Sequence, residues 1–581
     1  MQRPQASGKG DADALRLAGL VAPEAAAIGR AAVLTAAASA LWIAQAALLA
    51  WAIQGLLAGS GERGLPLEAA AAGFLALAVL RIAADTCAGH LGFAAAERIA
   101  LRARDSLLAA LARTSPLDAG RPRTGESAAI LSQHVEALVP YLTRHRPARM
   151  RLMLLPAAIL AVTLAFSWAA ALILLLAGPV IPLFMGLIGA EARGASERQL
   201  AAVGSLGGYL LDRLQGITTI RLFDAVERTA AALEAHAAAI HQGTMRVLRI
   251  AFVSSAVLEL FAALGVALLA VYIGFSLLGY FNFGTWGGGL GLAEALFLLL
   301  IAPEFFQPLR DYAAAYHDRA AALAASREIG RILEHGGPHL VGTGAAAAGA
   351  PRHPPAITLE GVSLAFGGGH GPALDAVSLA IAPGEHVALV GPSGSGKSML
   401  LGLMAGLIAP GAGVVRCAGL PLDDATADAW RARLAWLGQR PDFVKGSVLT
   451  NLALGRPRPD PARVVRALDV AAAAEVVARL PRGLAAPLGE AGHGVSGGEA
   501  QRLALARAAL AEADVILADE PTGHLDEETA RAVIDGLMVI ARGRTLVVAT
   551  HDPRLMARMA RTIDVDRLGA TRCGSVREAS P

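Results

Sequence analysis

The sequence is poor in cysteine, in net charge and in lysine, and the first two shortages exclude classes of function. Its 581 residues include three cysteines, Cys87, Cys417 and Cys573, whose scattered positions match neither a metal-ligand spacing nor a disulfide framework. The formal net charge of +3 is too small to indicate nucleic-acid binding, and no basic patch with interleaved aromatic residues occurs. We therefore interpret the cysteines as unpaired thiols.

Lysine is the third shortage, and it draws attention to one motif. Lysine occurs only at positions 9, 397 and 445, and Lys397 lies in Gly391-Pro-Ser-Gly-Ser-Gly-Lys-Ser398, which matches GxxxxGK[ST]. A chain that uses arginine elsewhere and keeps lysine here indicates a position that requires a compact ammonium group. The apolar run 386–390 before it predicts a buried strand, and 399–404 predicts a helix start. This context favours a phosphate-binding loop over a simple glycine-rich turn.

The chemistry of this phosphate loop (391–398) follows from its residue types. Glycines allow successive backbone N–H groups to form an anion-binding nest at a helix N-terminus. The Lys397 ammonium is expected to reach the β- and γ-phosphates of a nucleotide, and the Ser398 hydroxyl to bind Mg²⁺. The loop thus predicts ATP and Mg²⁺ as cofactors, bound by Gly391, Ser393, Gly394, Ser395, Gly396, Lys397 and Ser398.

Long apolar runs are abundant, and they lie in the N-terminal half. The chain is 55% hydrophobic with a mean hydropathy of +0.50, which is too apolar for a soluble ATPase. Each run is close to the ~20 residues that cross a bilayer. They predict six transmembrane helices near 31–57, 67–91, 251–278 and 289–308, with the block 150–190 divided into two by a turn near Ser167-Trp168.

The arginines predict the orientation of these spans. Nine arginines lie between spans two and three and seven between spans four and five, whereas the loop after span one has only Arg63 and the loop after span five has none. The positive-inside rule therefore places both termini, both long segments and the ATPase domain in the cytoplasm. Helical periodicity in 94–111 and 196–214 predicts that the spans continue as cytoplasmic helices, with hairpin tips near 124–130 and 221–227 that face the soluble domain.

Composition also predicts the domain boundaries. A Gly-, Ala- and Pro-rich stretch around 335–355 indicates a linker, and α/β character follows it. We expect a cytoplasmic N-terminal segment (1–28), a six-helix transmembrane domain (29–333), a linker (334–355) and an α/β ATP-binding domain (356–581). The first span is long and lacks a small-residue cleavage site, so we interpret it as a retained span rather than a signal peptide.

Further polar residues follow buried strands downstream of the phosphate loop. Asp519 and Glu520 end the run 515–520, His551 ends 545–551, and Gln439 follows an apolar stretch ending in Trp-Leu-Gly. Because ligands of open parallel sheets collect at the carboxyl ends of strands, we expect these side chains to meet at one site. A carboxylate beside a Mg²⁺ ligand is able to orient water, and this favours a catalytic Glu520 over a solvated loop acid.

Five elements in this order resemble the ATP-binding cassette of ABC transporters: GPSGSGKS, Gln439, VSGGE (495–499), ILADE (516–520) and His551. The six spans resemble the arrangement found in ABC exporters. The resemblance implies roles for Phe366 in stacking on adenine, for Ser398, Gln439 and Asp519 in binding Mg²⁺, and for Lys397, Glu520 and His551 in catalysis. It also implies that Ser496, Gly497 and Gly498 complete the ATP site of a second subunit. The sequence departs from the family pattern in two places. Val495 and Glu499 replace the usual Leu and Gln, and Gly-His-Leu-Asp (523–526) replaces Ser-Ala-Leu-Asp.

Within that family the membrane half resembles CydD, a subunit of the bacterial thiol-reductant exporter. The matching segments are 135–141, 179–185, 214–223, 252–263 and 302–310. This resemblance implies ATP-driven export of cysteine or glutathione to the periplasm across the inner membrane, in support of cytochrome bd assembly, as a heterodimer with a CydC-like subunit rather than a homodimer. The alternative within transport is a lipid, drug or peptide exporter. A module in which ATP only gates dimerisation conflicts with Glu520 and His551, and a soluble nucleic-acid ATPase conflicts with the six spans.

Charged residues inside the spans predict a substrate cavity. Arg81 and Asp85 are spaced i, i+4 in span two, Glu259 lies in span five, and Glu304 lies in span six. Intramembrane charge is costly, so these side chains are expected to face a cavity or to pair with each other. A cavity of this kind suits a zwitterionic thiol. The alternatives are that Arg81 and Asp85 brace helices as an ion pair and that Glu304 lies near the interface.

Overall fold

The computed structural model divides the chain into two compact units. One comprises Met1–Leu107 and Gly125–Leu333, and the other comprises Leu108–Thr124 and Glu334–Pro581. The structure describes residues 6–57, 67–118, 120–122, 124–181, 183, 210, 213–214, 216–281, 283–342, 353–365, 374–454, 459–488 and 494–568. The short segment Leu108–Thr124 thus belongs with the C-terminal unit, although it interrupts the N-terminal one in sequence.

Helices make up the N-terminal unit. A 3₁₀ turn lies at Ala22–Glu24, and π-helical turns lie at Ile130–His134 and Tyr141–His145. The α-helices are α1 Ala6–Val21, α2 Ala25–Leu57, α3 Leu67–Arg113, α4 Thr124–Ala129, α5 Leu138–Pro140, α6 Arg146–Phe166, α7 Trp168–Ile181, α8 Ile217–Leu222, α9 Val226–Leu277, α10 Leu292–Ala314 and α11 Tyr316–Leu333.

These helices confirm a multi-pass membrane fold. Within the described residues, five helical stretches are long and apolar enough to cross a bilayer: Ala12–Leu57, Leu67–Arg113, Gly125–Phe166, Ala256–Leu277 and Leu292–Leu333. The shorter apolar helix α7 coincides with the predicted fourth span, most of whose remainder lies outside the described residues. Each of the six predicted spans therefore coincides with a helix.

The predicted turn near Ser167-Trp168 is confirmed, and its cause is a buried serine. Ser167 adopts extended backbone angles (φ −153°, ψ 117°) after the last residue of α6. Its hydroxyl donates to the carbonyl oxygen of Gly284 at 2.6 Å and accepts from the Ala170 N–H at 3.2 Å. The side chain thus supplies the first turn of α7 with an N-terminal hydrogen-bond partner.

Helix α3 continues far beyond the bilayer, as the periodicity in 94–111 predicts. Most of the second predicted extension, 196–214, lies outside the described residues, and the helix α9 that follows it is also long. Helix α3 has 47 residues and α9 has 52, lengths of about 70 and 78 Å against a hydrocarbon core of about 30 Å. The second predicted tip is confirmed, because α8 ends at Leu222 and α9 begins at Val226. The first predicted tip is wrong: residues 124–129 form helix α4, and the chain turns at 114–122 instead.

That turn packs within the C-terminal unit. The Ser115 hydroxyl donates to the carbonyl oxygen of Leu407 at 2.7 Å, and Thr114 forms an isolated antiparallel bridge with His339. Leu117 packs against the buried cluster that includes Leu400 and Leu403. A serine hydroxyl and one apolar side chain, rather than the helical residues 124–130, anchor this segment.

The C-terminal unit has an α/β core. Its strands are β1 Ile357–Leu364, β2 Leu374–Ile381, β3 His386–Val390, β4 Ala412–Cys417, β5 Leu420–Pro421, β6 Leu434–Leu437, β7 Gly446–Ser447, β8 Pro487–Leu488, β9 Val515–Asp519, β10 Thr545–Ala549 and β11 Arg561–Asp564. Its helices are α12 Lys397–Met404, α13 Ala427–Arg431, α14 Val448–Leu452, α15 Pro461–Val470, α16 Ala474–Arg479, α17 Gly497–Leu510, α18 Glu527–Ile540 and α19 Pro553–Met556, with 3₁₀ turns at Gly483–Ala485 and Val565–Arg567.

The sheet topology aligns the functional strand ends. A parallel sheet has the order β11-β3-β10-β9-β6, and an antiparallel sheet has the order β2-β1-β4-β5. The middle residues of β3, β9 and β10 are fully buried, as expected of parallel strands that are covered on both faces. Since the parallel strands run in one direction, the segments that follow β3, β6, β9 and β10 emerge at one edge.

Candidate functional site

The phosphate loop joins β3 to α12 and depends on its glycines. Gly391, Gly394 and Gly396 have φ angles of +150°, +82° and +96°, in the region that residues with a Cβ rarely adopt. A Cβ on Gly391 would also lie only 2.8 Å from Oγ of Ser395. The loop therefore curls back over the first turn of α12, as an anion-binding nest requires.

Two side chains show that the loop fits a triphosphate. The Lys397 ammonium donates to the carbonyl oxygens of Gly391 and Pro392, at 2.8 and 3.0 Å, so it lies across the mouth of the loop. Ser395 is buried, and its Oγ has no hydrogen-bond partner among the described residues. A buried hydroxyl without a partner is costly, and a phosphate oxygen held in the loop would satisfy it.

Ser398 and Asp519 form the candidate metal pair. Asp519 is the last residue of β9, and its carboxylate accepts a hydrogen bond from the Ser398 side chain. Burial raises the pKa of the Asp519 carboxyl; the Ser398 hydrogen bond and the Lys397 charge oppose the rise, while the Glu520 charge adds to it. A hydroxyl and a partly buried carboxylate in contact are a suitable oxygen-ligand set for Mg²⁺.

Glu520 and His551 extend the site along the same edge. Glu520 has a φ of +45°, and its N–H donates to the carbonyl oxygen of Ala549 at the end of β10. Its Oε1 lies 2.8 Å from Nδ1 of His551. The carboxylate is 13% exposed and the imidazole 79% exposed, so the histidine lies between the carboxylate and solvent. The strained backbone aims the Glu520 side chain away from the Asp519 strand.

Gln439 follows β6, which pairs with β9, so it emerges beside the Asp519 end of the sheet. It is exposed, and its side chain makes no hydrogen bond within the described residues. Phe366, the predicted adenine contact, lies outside the described residues. The structure thus brings the phosphate loop, Asp519, Glu520, His551 and Gln439 to one edge, as the motif order predicts.

Ser496 begins α17 through a reciprocal cap. The Ser496 N–H donates to Oε2 of Glu499 at 2.8 Å, and the Glu499 N–H donates to Oγ of Ser496 at 3.3 Å. The Ser496 backbone hydrogen bond lowers the pKa of Glu499, and Arg479 pairs with the same carboxylate at 3.1 Å. Glutamate in place of the family's glutamine therefore still forms the cap, and it adds an ion pair.

Gly497 and Gly498 open α17 for different reasons. A Cβ on Gly497 would meet open space, whereas one on Gly498 would lie 3.0 Å from Cγ2 of Thr529 in α18. His524, the second departure, has a φ of +62° and is exposed two residues before the α18 cap Asp526. Within the described part of the chain, no hydrogen bond joins 496–498 to the phosphate loop, which agrees with an intersubunit role for these residues.

Arg507 is a functional residue that the sequence analysis missed. Its guanidinium donates from Nε to the carbonyl oxygen of Asn451 and from Nη2 to that of Asp442, each at 3.0 Å, and lies 5.1 Å from the ring centroid of Phe443. Desolvation lowers the pKa of this arginine. Arg507 thereby joins the helix that begins at Ser496 to the segment that follows Gln439. Its only sequence signal is an arginine on the predicted helix after VSGGE.

The four predicted cavity residues do not converge. Arg81 lies over the Trp42 ring at 5.5 Å, and Glu259 pairs with Arg310 at 2.7 Å. No Arg81–Asp85 ion pair exists among the described residues, so the predicted helix brace is wrong. Asp85 alone of the four lines a cavity of about 590 Å³. Glu304 is half-buried and makes no ion pair within the described residues.

Comparison with known proteins identifies the family. A family model described as ABC transporter matches residues 374–523, and one described as ABC transporter transmembrane region matches residues 28–297. The chain is 34% identical over 515 residues to the glutathione/L-cysteine transport system ATP-binding/permease protein CydD of Escherichia coli (strain K12), which covers 88% of this chain and 86% of that protein. This chain belongs to the ABC transporters.

Two further comparisons agree with this assignment. The transporter is 35% identical over 478 residues to the transport ATP-binding protein AarD of Providencia stuartii, covering 82% of this chain and 80% of that protein. Its fold matches a bacterial Atm1-family ABC exporter solved with ATP bound, with a TM-score of 0.71 and 23% identity over 92% of this chain and 94% of that one. The predicted exporter architecture, with transmembrane and ATPase domains in one chain, is confirmed.

Membership in this family establishes the activity in general terms. The ABC transporter binds ATP in its C-terminal domain and couples hydrolysis to transport through its helical membrane domain. Phosphoryl transfer needs positioning and charge neutralisation more than covalent chemistry, which is what a glycine nest, one lysine and adjacent carboxylates supply. The predicted ATPase activity is therefore confirmed.

Proposed function

We propose that this ABC transporter exports a small thiol, cysteine or glutathione, from the cytoplasm to the periplasm across the bacterial inner membrane, in support of cytochrome bd assembly. The observation that carries the proposal is the 34% identity over 88% of the chain to a protein named for glutathione and L-cysteine transport. The similarity extends across both domains, so it includes the segments from which a substrate site is built.

The working unit in this proposal is a heterodimer with a CydC-like subunit. Three features of the ATP-binding domain support an intersubunit site: Ser496 is capped at the start of α17, Gly497 faces open space, and these residues make no described hydrogen bond to their own phosphate loop. In the composite site, Ser496, Gly497 and Gly498 of each chain approach the nucleotide of the other. One chain supplies half of each of two sites.

Within each composite site, we assign the residue roles that the family resemblance implies. Lys397 neutralises the β- and γ-phosphates, Glu520 polarises the attacking water, and His551 contacts the γ-phosphate and positions Glu520. Three oxygen-bearing side chains at the sheet edge, those of Ser398, Gln439 and Asp519, hold Mg²⁺ directly or through water, and Phe366 stacks on adenine. The contacts of Lys397, Ser398 and His551 support these roles.

Both termini and the ATPase domain lie in the cytoplasm in this proposal, and the boundaries 1–28, 29–333, 334–355 and 356–581 describe its domains. The arginines support the orientation, because α3 carries Arg98, Arg102, Arg104 and Arg113 and α9 carries Arg228, Arg246 and Arg249 beyond the predicted spans. Turn 114–122 packs within the C-terminal unit and supports a cytoplasmic side for that end of α3.

A transport assay tests the proposal. Inside-out vesicles from cells that co-express the chain and its CydC-like partner are supplied with ATP and labelled cysteine or glutathione. We expect ATP-dependent uptake of at least one thiol, lost in Glu520→Gln and retained in the surface control Glu528→Gln. An ATPase rate that neither thiol changes, but that lipid, drug or peptide increases, would contradict thiol export and favour the alternative exporter.

A further inference from the structure

The cavity that Asp85 lines is an open cleft among helices of the N-terminal unit. Its volume of about 590 Å³ falls within the range of roughly 300–1,000 Å³ that small-molecule sites occupy. The walls come from α2, α3, α6 and the π-helical turn before it, and the α10–α11 junction. Its charged lining residues are Asp85, Arg144, Arg151, Asp311 and Asp318.

Two of these five charges neutralise each other. Arg151 pairs with Asp311 at 3.2 Å, and Asp311 also accepts from Nε2 of Gln307 at 2.8 Å. By contrast, the side chains of Asp85, Arg144 and Asp318 make no ion pair or hydrogen bond within the described residues. The cavity thus presents two acids and one arginine that make no direct ion pair or hydrogen bond within the described residues, although the charge of Arg144 acts on Asp318.

Unpaired charges of both signs on one cavity wall indicate a ligand that also carries both signs. A cation alone would leave Arg144 unpaired, and an anion alone would leave Asp85 and Asp318 unpaired. An α-amino acid group has a carboxylate and an ammonium two bonds apart, and a guanidinium binds a carboxylate through two parallel hydrogen bonds. Ion pairing with a ligand offsets the cost of holding charges near hydrocarbon.

We propose that this cavity binds the free α-amino acid group of the transported molecule, with Arg144 holding its carboxylate and Asp85 and Asp318 holding its ammonium. The inference rests on the proposed function and deepens it. Cysteine has this group, and so does the γ-glutamyl end of glutathione, so one triad of charges serves both thiols. The thiol itself takes no part in the recognition.

The position of the cavity agrees with loading before export. Its lining includes Ala31 and Thr35 near the start of the first span, Asp85 late in the second, Arg144 before the third and Asp318 after the sixth. All of these lie at the helix ends that the arginine distribution assigns to the cytoplasm. A substrate that enters from the cytoplasm reaches this charged triad first.

The test measures ligand-stimulated ATPase activity of the full-length chain in nanodiscs with its partner subunit. The probes are cysteine, cysteine methyl ester, which lacks the carboxylate charge, and N-acetylcysteine, which lacks the ammonium. We expect wild type to require at least about 10-fold more of either analogue than of cysteine, the size of one lost charge-assisted hydrogen bond. Arg144→Gln should no longer discriminate between cysteine and its methyl ester. Asp85→Asn or Asp318→Asn should no longer discriminate between cysteine and N-acetylcysteine.

Matched controls are Arg149→Gln and Asp105→Asn, which change exposed charges on the same segments outside the cavity lining and should discriminate as wild type does. The ratio of half-saturating concentrations is measured within each variant, so it does not depend on the folded fraction. Arg144→Lys, which keeps the charge without the fork, should retain part of the discrimination against the ester.

The outcomes separate the two proposals. Thiol transport in wild type with unchanged discrimination in Arg144→Gln and Asp85→Asn would overturn the cavity assignment and leave thiol export standing. Stimulation by serine equal to that by cysteine, with no thiol transported, would overturn thiol export while supporting the cavity. A wild type that responds equally to cysteine and both analogues would overturn the cavity assignment.

Discussion

Nδ1 of His551 lies 2.8 Å from Oε1 of Glu520, although the two residues are carried by different strands, β10 and β9. The parallel pairing of these strands, with Ala549 opposite Asp519, brings the following residues side by side. The exposed imidazole therefore holds the rotamer of a carboxylate that is largely shielded from solvent. The contact between these two side chains therefore forms within a single chain.

Glu520→Gln is expected to lower the ATPase rate by about 10²–10⁴-fold, because the amide cannot accept a proton from the attacking water. Nucleotide binding should persist, since the phosphate loop is unchanged. Steady-state hydrolysis and binding of a fluorescent ATP analogue check the two parts. Glu528→Gln, an exposed change in α18, is the control, and equal hydrolysis by the two variants would refute the role of Glu520.

Lys397→Arg is expected to abolish turnover even though it keeps the positive charge. The ammonium lies within 3.0 Å of two loop carbonyl oxygens, a space that suits a compact donor and not a planar guanidinium. Lys445→Arg, which changes an exposed lysine in a loop, should hydrolyse ATP at the wild-type rate. Normal hydrolysis by Lys397→Arg would show that the lysine was retained for another reason.

The Mg²⁺ concentration that the ATPase requires should depend on pH, because burial raises the pKa of Asp519 above its usual range. Mg²⁺ binds the ionised carboxylate, so protons compete increasingly as the pH falls through this raised pKa. The Mg²⁺ concentration for half-maximal ATPase should therefore rise at acidic pH earlier than an ordinary aspartate would predict. A Mg²⁺ requirement that stays constant from neutral to mildly acidic pH would argue against Asp519 as a ligand.

The same shift has an opposite effect on stability without metal. Because the folded-state pKa is raised, the ionised carboxylate destabilises the fold at high pH, and the penalty disappears as the pH falls below the raised value. Asp519→Asn removes the titration. In EDTA, the melting temperature of wild type minus that of Asp519→Asn should therefore increase on mild acidification, and a decrease would contradict the burial argument.

Arg507→Ala is expected to lower the free energy of unfolding of the ATP-binding domain by about 2 kcal/mol, because two backbone carbonyls lose a charged donor. It should also loosen the segment after Gln439, which Arg507 holds through Asp442 and Asn451. Thermal unfolding measures the loss of stability. The stimulation of ATPase activity by substrate measures the loosening of the segment after Gln439. Arg507→Lys should recover part of both, whereas the exposed control Arg531→Ala should change neither appreciably.

The elements that local sequence predicts well are those whose chemistry is contiguous. The phosphate loop is one, because Gly391, Gly394 and Gly396 adopt the left-handed angles that the motif implies. The turn at Ser167 is another, since a polar residue interrupts a long apolar run. In both cases the residues that determine the local backbone conformation are neighbours in sequence.

Other features depend on residues distant in sequence, and the predictions fail there. The first hairpin turn was expected at 124–130, but contacts of Ser115 and Leu117 within the C-terminal unit place it before residue 124. Arg81 was expected to face a substrate cavity or to pair with Asp85, yet it lies over Trp42 of α2. Nothing in the sequence distinguishes Arg144 and Asp318 from other charges that flank the spans. Helix packing brings both side chains to one cavity.

The sequence alone determined the domain classes and the membrane spans, and it predicted the ATP-site residues, because apolar run length, glycine φ preference and strand-end motifs are local properties. Only the tertiary structure decided which charges pair directly. Glu259 pairs with Arg310 and Arg151 with Asp311, whereas Asp85, Arg144 and Asp318 share a cavity and make no ion pair or hydrogen bond within the described part of the chain. Charge pairing depends on distances across helices, and helix packing, not sequence spacing, sets those distances.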